Sequence, residues 1–240
     1  MKSLLLLTVL MLTACSFSPA LLTRVPRMIT PRMSNTGECN GSEIKINQAQ
    51  LYSDQNNRWS LIAEATNMRV DDYELVQVCI TVQSKGSNKF VEEKQFAGIS
   101  LRSYETAPFR LLLSSNLDQA ERVTVAAKPM AKVPADVEQL RVARNRRDFV
   151  YSIAGMEGYL YSPVRVVGRL RNNEPQPMMN VRLVIGLYGA DNKLIGVADG
   201  LAADIAPIAP GNVAGFTATT NMLLAPIVSA TVLIEGEPTR

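Results

Sequence analysis

The chain has 240 residues, 47% of them hydrophobic and 20% charged, which is the balance of a folded protein rather than a disordered one. A net charge of +3 is too small to imply a polyanionic partner and argues against nucleic acid. Histidine is absent, which removes Ser-His-Asp and Cys-His catalysis and any His-based zinc site.

Residues 1–15 determine the expected compartment. Lys2 gives a basic start, Leu4 to Leu12 is an apolar run of signal-peptide length, and Leu12-Thr13-Ala14-Cys15 closes it with small residues before a cysteine. This ending resembles a bacterial lipobox. The resemblance implies a signal peptide over residues 1–14, a diacylglycerol thioether on Cys15 and acylation of the new amino terminus. Two or three acyl chains, at ~0.8 kcal/mol per buried methylene, hold a protein to a membrane far better than one. The expected location is therefore extracytoplasmic, lipid-anchored to a bacterial membrane through Cys15. Ser16 directs the protein to the outer membrane if the host is a Gram-negative with standard lipoprotein sorting. The other reading is an ordinary cleaved signal; the run is too short for a membrane span.

Residues 15–42 read as a lipidated tether. Pro19, Pro26 and Pro31 interrupt any helix, and Gly37, Asn40, Gly41 and Ser42 add turn chemistry, so an extended and mobile segment is predicted. Arg24, Arg27 and Arg32 precede the first acidic residue, Glu38. They either contact anionic headgroups, at about 1 kcal/mol each, or belong to a solvated spacer.

From residue 43 the pattern changes to short alternating segments separated by turn signals, which predicts an all-β sandwich over 43–130. Candidate strands are Ile44 to Tyr52, Trp59 to Ala65, Leu75 to Gln83, Phe90 to Phe96, Thr106 to Leu113 and Arg122 to Ala127.

The remainder repeats this pattern. Asn67, followed nine residues later by Val76-Gln77-Val78-Cys79-Ile80, matches Asn172 followed by Val181-Arg182-Leu183-Val184-Ile185 at an offset of 105. Leu101 to Pro129 matches Ile208 to Gly236 at 107, pairing Ala107 with Ala214 and Phe109 with Phe216. Insertions confined to turns explain so small a drift, so two copies of one sandwich are expected, module 1 over 43–130 and module 2 over 149–236.

In the second copy, Val166-Val167-Gly168, Asn172-Asn173, Pro177, Leu187-Tyr188-Gly189-Ala190-Asp191 and Ile208-Ala209-Pro210-Gly211 with Phe216 resemble the FxLYD domain of bacterial lipoproteins. The resemblance implies two tandem immunoglobulin-like β-sandwich domains and carries over no functional residue. The first copy is more divergent, with Val82-Gln83 in place of Leu187-Tyr188 and Ser103-Tyr104 in place of Pro210-Gly211.

Elementary chemistry gives these positions structural roles. Asn172-Asn173 suits a strand end, Ala190 to Lys193 a hairpin turn, and Pro210-Gly211 the centre of a type II turn. Val181, Leu183, Ile185 and Leu187 alternate with Arg182, Val184, Gly186 and Tyr188, which places the first set on the core face. Phe109 and Phe216 are expected core residues.

Once Cys15 is given to lipid, Cys39 and Cys79 remain as one pair. Val76, Val78, Ile80 and Val82 occupy one face of their strand, so Cys79 lies on the other, within reach of Cys39 ahead of the first strand. A Cys39–Cys79 disulfide is predicted; the alternative is two reduced thiols.

Residues 131–148 break the β pattern and read as a linker with a short helix. Pro134, Asp136 and Glu138 suit its start, and Arg141, Arg144, Arg146 and Arg147 its end. These arginines either compensate the helix dipole or contact an anionic surface. Carboxylate pairs at Asp71-Asp72 and Glu92-Glu93 read as solvated, with neither a metal site nor a cofactor motif expected. The function expected is a non-catalytic, membrane-anchored scaffold or adhesion module with a protein partner in the cell envelope. The alternative is a receptor for a small ligand or glycan, held in a pocket between the two modules.

Overall fold

The structure, a computed structural model, describes residues 25–33, 39, 42–84, 89–96, 100–132, 143–144, 148–202 and 206–239. Among these residues the secondary structure is β throughout, apart from one 3-10 turn at Ala190–Asn192.

Two four-stranded sheets make up the first half. One has the order β1-β3-β4-β7, from Met28–Ile29, Ile44–Ser53, Trp59–Asn67 and Thr106–Leu112. The other has the order β2-β8-β5-β6, from Arg32–Met33, Ala120–Lys132, Tyr73–Ser84 and Lys89–Phe96. Period-two alternation directs Trp59, Leu61, Ala63 and Ala65 of β4, Val76, Val78, Ile80 and Val82 of β5, and Ala107 and Phe109 of β7 into one core. All six predicted strands are present. The last runs past its predicted end, through Pro129, because a register shift against Leu75 and Val76 accommodates a residue without an N–H.

The second half forms one continuous sheet in the order β10-β11-β14-β13-β12-β15-β9. These strands are β9 Ala143–Arg144, β10 Phe149–Gly158, β11 Val164–Asn172, β12 Met178–Tyr188, β13 Leu194–Ala202, β14 Val213–Thr219 and β15 Ser229–Pro238. The β10-β11-β14 and β13-β12-β15-β9 parts join where Asp199–Ala202 of β13 pairs with Phe216–Thr219 of β14, which leaves β10 and β9 as the edges of an open sheet. Gly200 permits that approach, since a Cβ there would lie 2.1 Å from the Thr217 carbonyl oxygen. In the first half the corresponding strands, β6 and β7, stand in separate sheets.

The internal repeat holds at the level of single hydrogen bonds. β3 and β4 begin and end 105 residues before β10 and β11. Asn67 is fully buried, donating to the carbonyls of Asp71 and Leu101 and accepting from the Arg69 amide. Asn172 does the same with Gln176, Ile208 and Glu174. Phe109 faces Ala63 across one ladder, and Phe216 faces Gly168 across the other. The Phe216 ring lies so close that a Cβ at Gly168 would stand 2.4 Å from it. The predicted turns are present as well. Asn212 N donates to Ala209 O with Gly211 at φ 76°, and the hairpin after β12 turns at Asp191 and Asn192, both with positive φ.

Two expectations are corrected. The predicted tether is packed where it is described: β1 pairs antiparallel with β3, and β2 pairs parallel with β8 on the opposite sheet. Pro26 and Pro31 are buried beside these short strands, as suits residues that cannot donate to a ladder but sit well at its edge. Arg27, proposed to face lipid or solvent, pairs with Asp118 at 2.9 Å. Residues 15–24, 34–38 and 40–41, with Cys15, lie outside the described residues. The predicted linker helix is replaced at Ala143–Arg144 by strand β9, whose backbone pairs with Glu235–Gly236 at the edge of β15. Ala131 and Lys132 belong to β8, and residues 133–142 and 145–147 lie outside the described residues.

Candidate functional site

The most developed surface is the face that joins the two halves. Along β4 the residues between the core positions, Ser60, Ile62 and Glu64, are as buried as the core itself. The same holds on β12 for Val184, Gly186 and Tyr188, and on β3 for Gln50 and Tyr52. These outer faces pack on each other. Tyr52 and Ile62 of module 1 belong to the apolar cluster of module 2, and Leu233 of β15 packs on the cluster of module 1. Burying a side chain such as Ile62 contributes roughly 1.5–3 kcal/mol. Gly186 allows the close contact, because a Cβ there would stand 3.0 Å from the Pro108 ring and 2.9 Å from the Tyr188 hydroxyl.

Polar groups fix the register of the two halves. Tyr188 donates its hydroxyl to Glu64 Oε1 at 2.7 Å. Gln50 Nε2 donates to the Leu194 carbonyl at 2.5 Å, and the Leu194 amide donates to Gln48 Oε1 at 2.7 Å. Leu194 thus has both backbone groups satisfied by side chains of the other module. Arg110 reaches Asp199 at 2.5 Å, and Glu235 accepts from both the amide and the hydroxyl of Ser100 at 2.8 Å. Burial pushes the Tyr52 hydroxyl up to about 12, against the opposing pull of the Arg110 charge and a hydrogen bond with Ser60. Burial likewise raises Tyr188 well above the ordinary tyrosine range; Thr231 opposes this through a hydrogen bond, and Glu64 adds to it. Both phenols are neutral at physiological pH and serve as donors and packing groups.

The sequence-predicted residues fall elsewhere. Cys39 and Cys79 form a disulfide with their Cα atoms 6.0 Å apart, and both are buried on the outer side of β5. Arg144 is placed by its backbone in β9 opposite Glu235, while Arg141, Arg146 and Arg147 lie outside the described residues. Asp72 accepts from the Ser103 amide at 2.7 Å. The Glu92 side chain is largely covered rather than solvated; burial would raise its carboxyl, but the hydrogen bonds it receives from Ser114, Ser115 and Lys94 outweigh that and lower it. Among the described residues no cluster of three or more His, Cys, Asp or Glu is placed to hold a metal ion. No helix among them is long and apolar enough to cross a membrane.

Sequence reasoning missed the intermodule face, although a signal existed. Ser60-Leu61-Ile62-Ala63 and Leu183-Val184-Ile185-Gly186-Leu187 carry apolar or small residues at consecutive positions, the mark of a strand covered on both sides. The substitution of Val82-Gln83 by Leu187-Tyr188 between the copies is part of this signal, since Gln83 is exposed and Tyr188 is buried against module 1.

No protein-family model matches the chain, and no curated protein matches it. Among solved structures it is similar to the transglutaminase of red sea bream, at 11% identity and a TM-score of 0.22. The alignment covers 80% of this chain and spans 28% of the length of that enzyme. A likeness of this degree carries no inference about activity.

Proposed function

We propose that the chain is a membrane-anchored extracytoplasmic lipoprotein, lipidated at Cys15, whose two immunoglobulin-like modules act as a non-catalytic protein-interaction scaffold of the bacterial cell envelope. The second module is read as an FxLYD-type domain on the residues given above. The observation that supports this reading is the intermodule face. Buried apolar contacts and side-chain hydrogen bonds from Gln48, Gln50, Glu64 and Tyr188 hold the modules in one relation, so their outer faces are presented together to a partner. A receptor would need a ligand-sized hollow between the modules. Tyr52, Ile62, Val184 and Tyr188 occupy that face instead. The Cys39–Cys79 bridge agrees with an oxidising compartment.

Membrane fractionation and in-cell crosslinking of the full-length chain test this, with Cys15→Ala as the mislocalised control. The expected result is one reproducible protein complex in the membrane fraction, lost with Cys15→Ala. Recovery of the wild-type chain in the soluble fraction, or capture of glycan alone, overturns the reading.

A further inference from the structure

Module 2 buries the outer face of the β3-β4-β7 sheet of module 1. It carries the same face itself, on β10-β11-β14, and among the described residues nothing covers it. The correspondence runs residue by residue: Ser60, Ile62, Glu64 and Thr66 of β4 stand 105 positions before Arg165, Val167, Arg169 and Arg171 of β11. The apolar centre is retained, with Val167 partly buried where Ile62 is fully buried. The charge is inverted, because Arg169 stands where Glu64 receives Tyr188.

The surroundings suit a docking surface. Ser152 and Gly215, both small, flank the exposed Arg169 across the two ladders, and Val150 and Val213 flank Arg171. Those valines are 51% and 54% exposed, and Leu201, 49% exposed, extends the face beyond Thr217. Arginine is enriched at interface centres, and the exposed valines and Leu201 beside these arginines add apolar surface that a partner can bury. Arg165 approaches Glu157 only at 3.7 Å, and among the described residues Arg169 and Arg171 form no ion pair.

The occupant is not a second copy of the chain. Module 2 already uses its complementary β12-β13-β15 face on module 1, and the matching β5 face of module 1 holds the Cys39–Cys79 bridge. We propose that the outer face of β10-β11-β14 is the docking surface for an acidic protein partner, seated as module 2 seats on module 1. This rests on the scaffold reading and names the chemistry of its partner.

The test places a photo-crosslinking benzophenone residue at Thr217, and separately at Val228 outside the face, in the full-length chain in its native host. The expected product from Thr217 is one protein adduct whose crosslinked peptide carries Asp or Glu. Its yield falls about tenfold or more in an Arg169→Glu/Arg171→Glu background and returns when those partner carboxylates are changed to Lys. Both arginines are exposed, so an unchanged melting temperature of the double variant separates docking from folding. An adduct with phospholipid or with another copy of the chain, an adduct indifferent to charge reversal, or no adduct overturns the proposal. A protein adduct from Val228 but not from Thr217 overturns this face while leaving the scaffold reading in place.

Discussion

Tyr188 of module 2 donates its hydroxyl to Glu64 of module 1 at 2.7 Å, across 124 residues of chain and inside a buried face. The two residues occupy the outer positions of their strands, where alternation alone would send them to solvent. Tyr188→Phe leaves the Glu64 carboxylate buried without this donor and is expected to destabilise the protein by about 2 kcal/mol. Glu64→Gln keeps an acceptor oxygen and is expected to cost less. A double-mutant cycle in urea should return a coupling of roughly 1–2 kcal/mol; additive effects would show that the pair does not hold the modules together.

The same face makes stability fall at alkaline pH. The Tyr52 hydroxyl is raised from 10.0 to about 12, so its contribution is complete below pH 10, declines as pH rises and is gone above about 12. At ~1.4 kcal/mol per unit the loss is roughly 2–3 kcal/mol. Tyr188 shifts in the same direction and extends the decline. Urea unfolding at pH 8, 9, 10 and 11 measures the slope, and Tyr52→Phe should flatten part of it. An identical slope in that variant would remove Tyr52 as its source.

Asn67 and Asn172 are expected to respond alike, since each is fully buried and makes three hydrogen bonds to backbone. Replacing either by Ala removes three hydrogen bonds, at about 2–4 kcal/mol, although the Leu101 carbonyl keeps the Tyr73 amide and the Ile208 carbonyl keeps the Met178 amide. Asp at either position keeps the acceptor but loses the donor and buries a charge, so it should be at least as damaging. Chemical denaturation of the four variants checks this, and an Asp variant as stable as wild type would contradict the donor assignment.

These asparagines show why the fold was legible. Their spacing to the next strand is equal in both copies, and short amides at strand ends have few alternative uses. Phe109 and Phe216, the Pro210-Gly211 turn and the Cys39–Cys79 bridge were legible for the same reason, each depending on local chemistry or on period two. The intermodule face depends on which outer faces meet. Ser60, Glu64 and Tyr188 look solvated until a partner sheet is placed over them. Pro26 and Pro31 misled in a related way, because proline interrupts a helix in a tether and at a sheet edge alike.

Removal of the Cys39–Cys79 bridge should be felt mainly in the first half. It closes a separation of 40 residues and fastens the segment after β2 to the outer side of β5. Cys79→Ser is expected to cost about 2–4 kcal/mol and to lower the melting temperature. Hydrogen exchange should show the amides of β2 opening first, with those of β11 and β14 unchanged. Equal loss of protection in both halves would mean that the bridge acts on the whole molecule.

The turn before β7 offers a change of the opposite sign. Tyr104 has φ 55° and stands where Gly211, at φ 76°, serves module 2. The Tyr104 side chain is 65% exposed, so little packing offsets the strain of a bulky residue in the left-handed region. Tyr104→Asn is expected to stabilise by about 0.5–1 kcal/mol, because Asn tolerates this conformation without the entropy that Gly restores to the unfolded chain. Gly211→Ala is expected to destabilise by about 1 kcal/mol although a Cβ there meets nothing within 4 Å, since the cost lies in the dihedral and not in space. Thermal denaturation of both variants measures the pair. A stabilised Gly211→Ala, or a destabilised Tyr104→Asn, would show that the two turns do not share a backbone conformation.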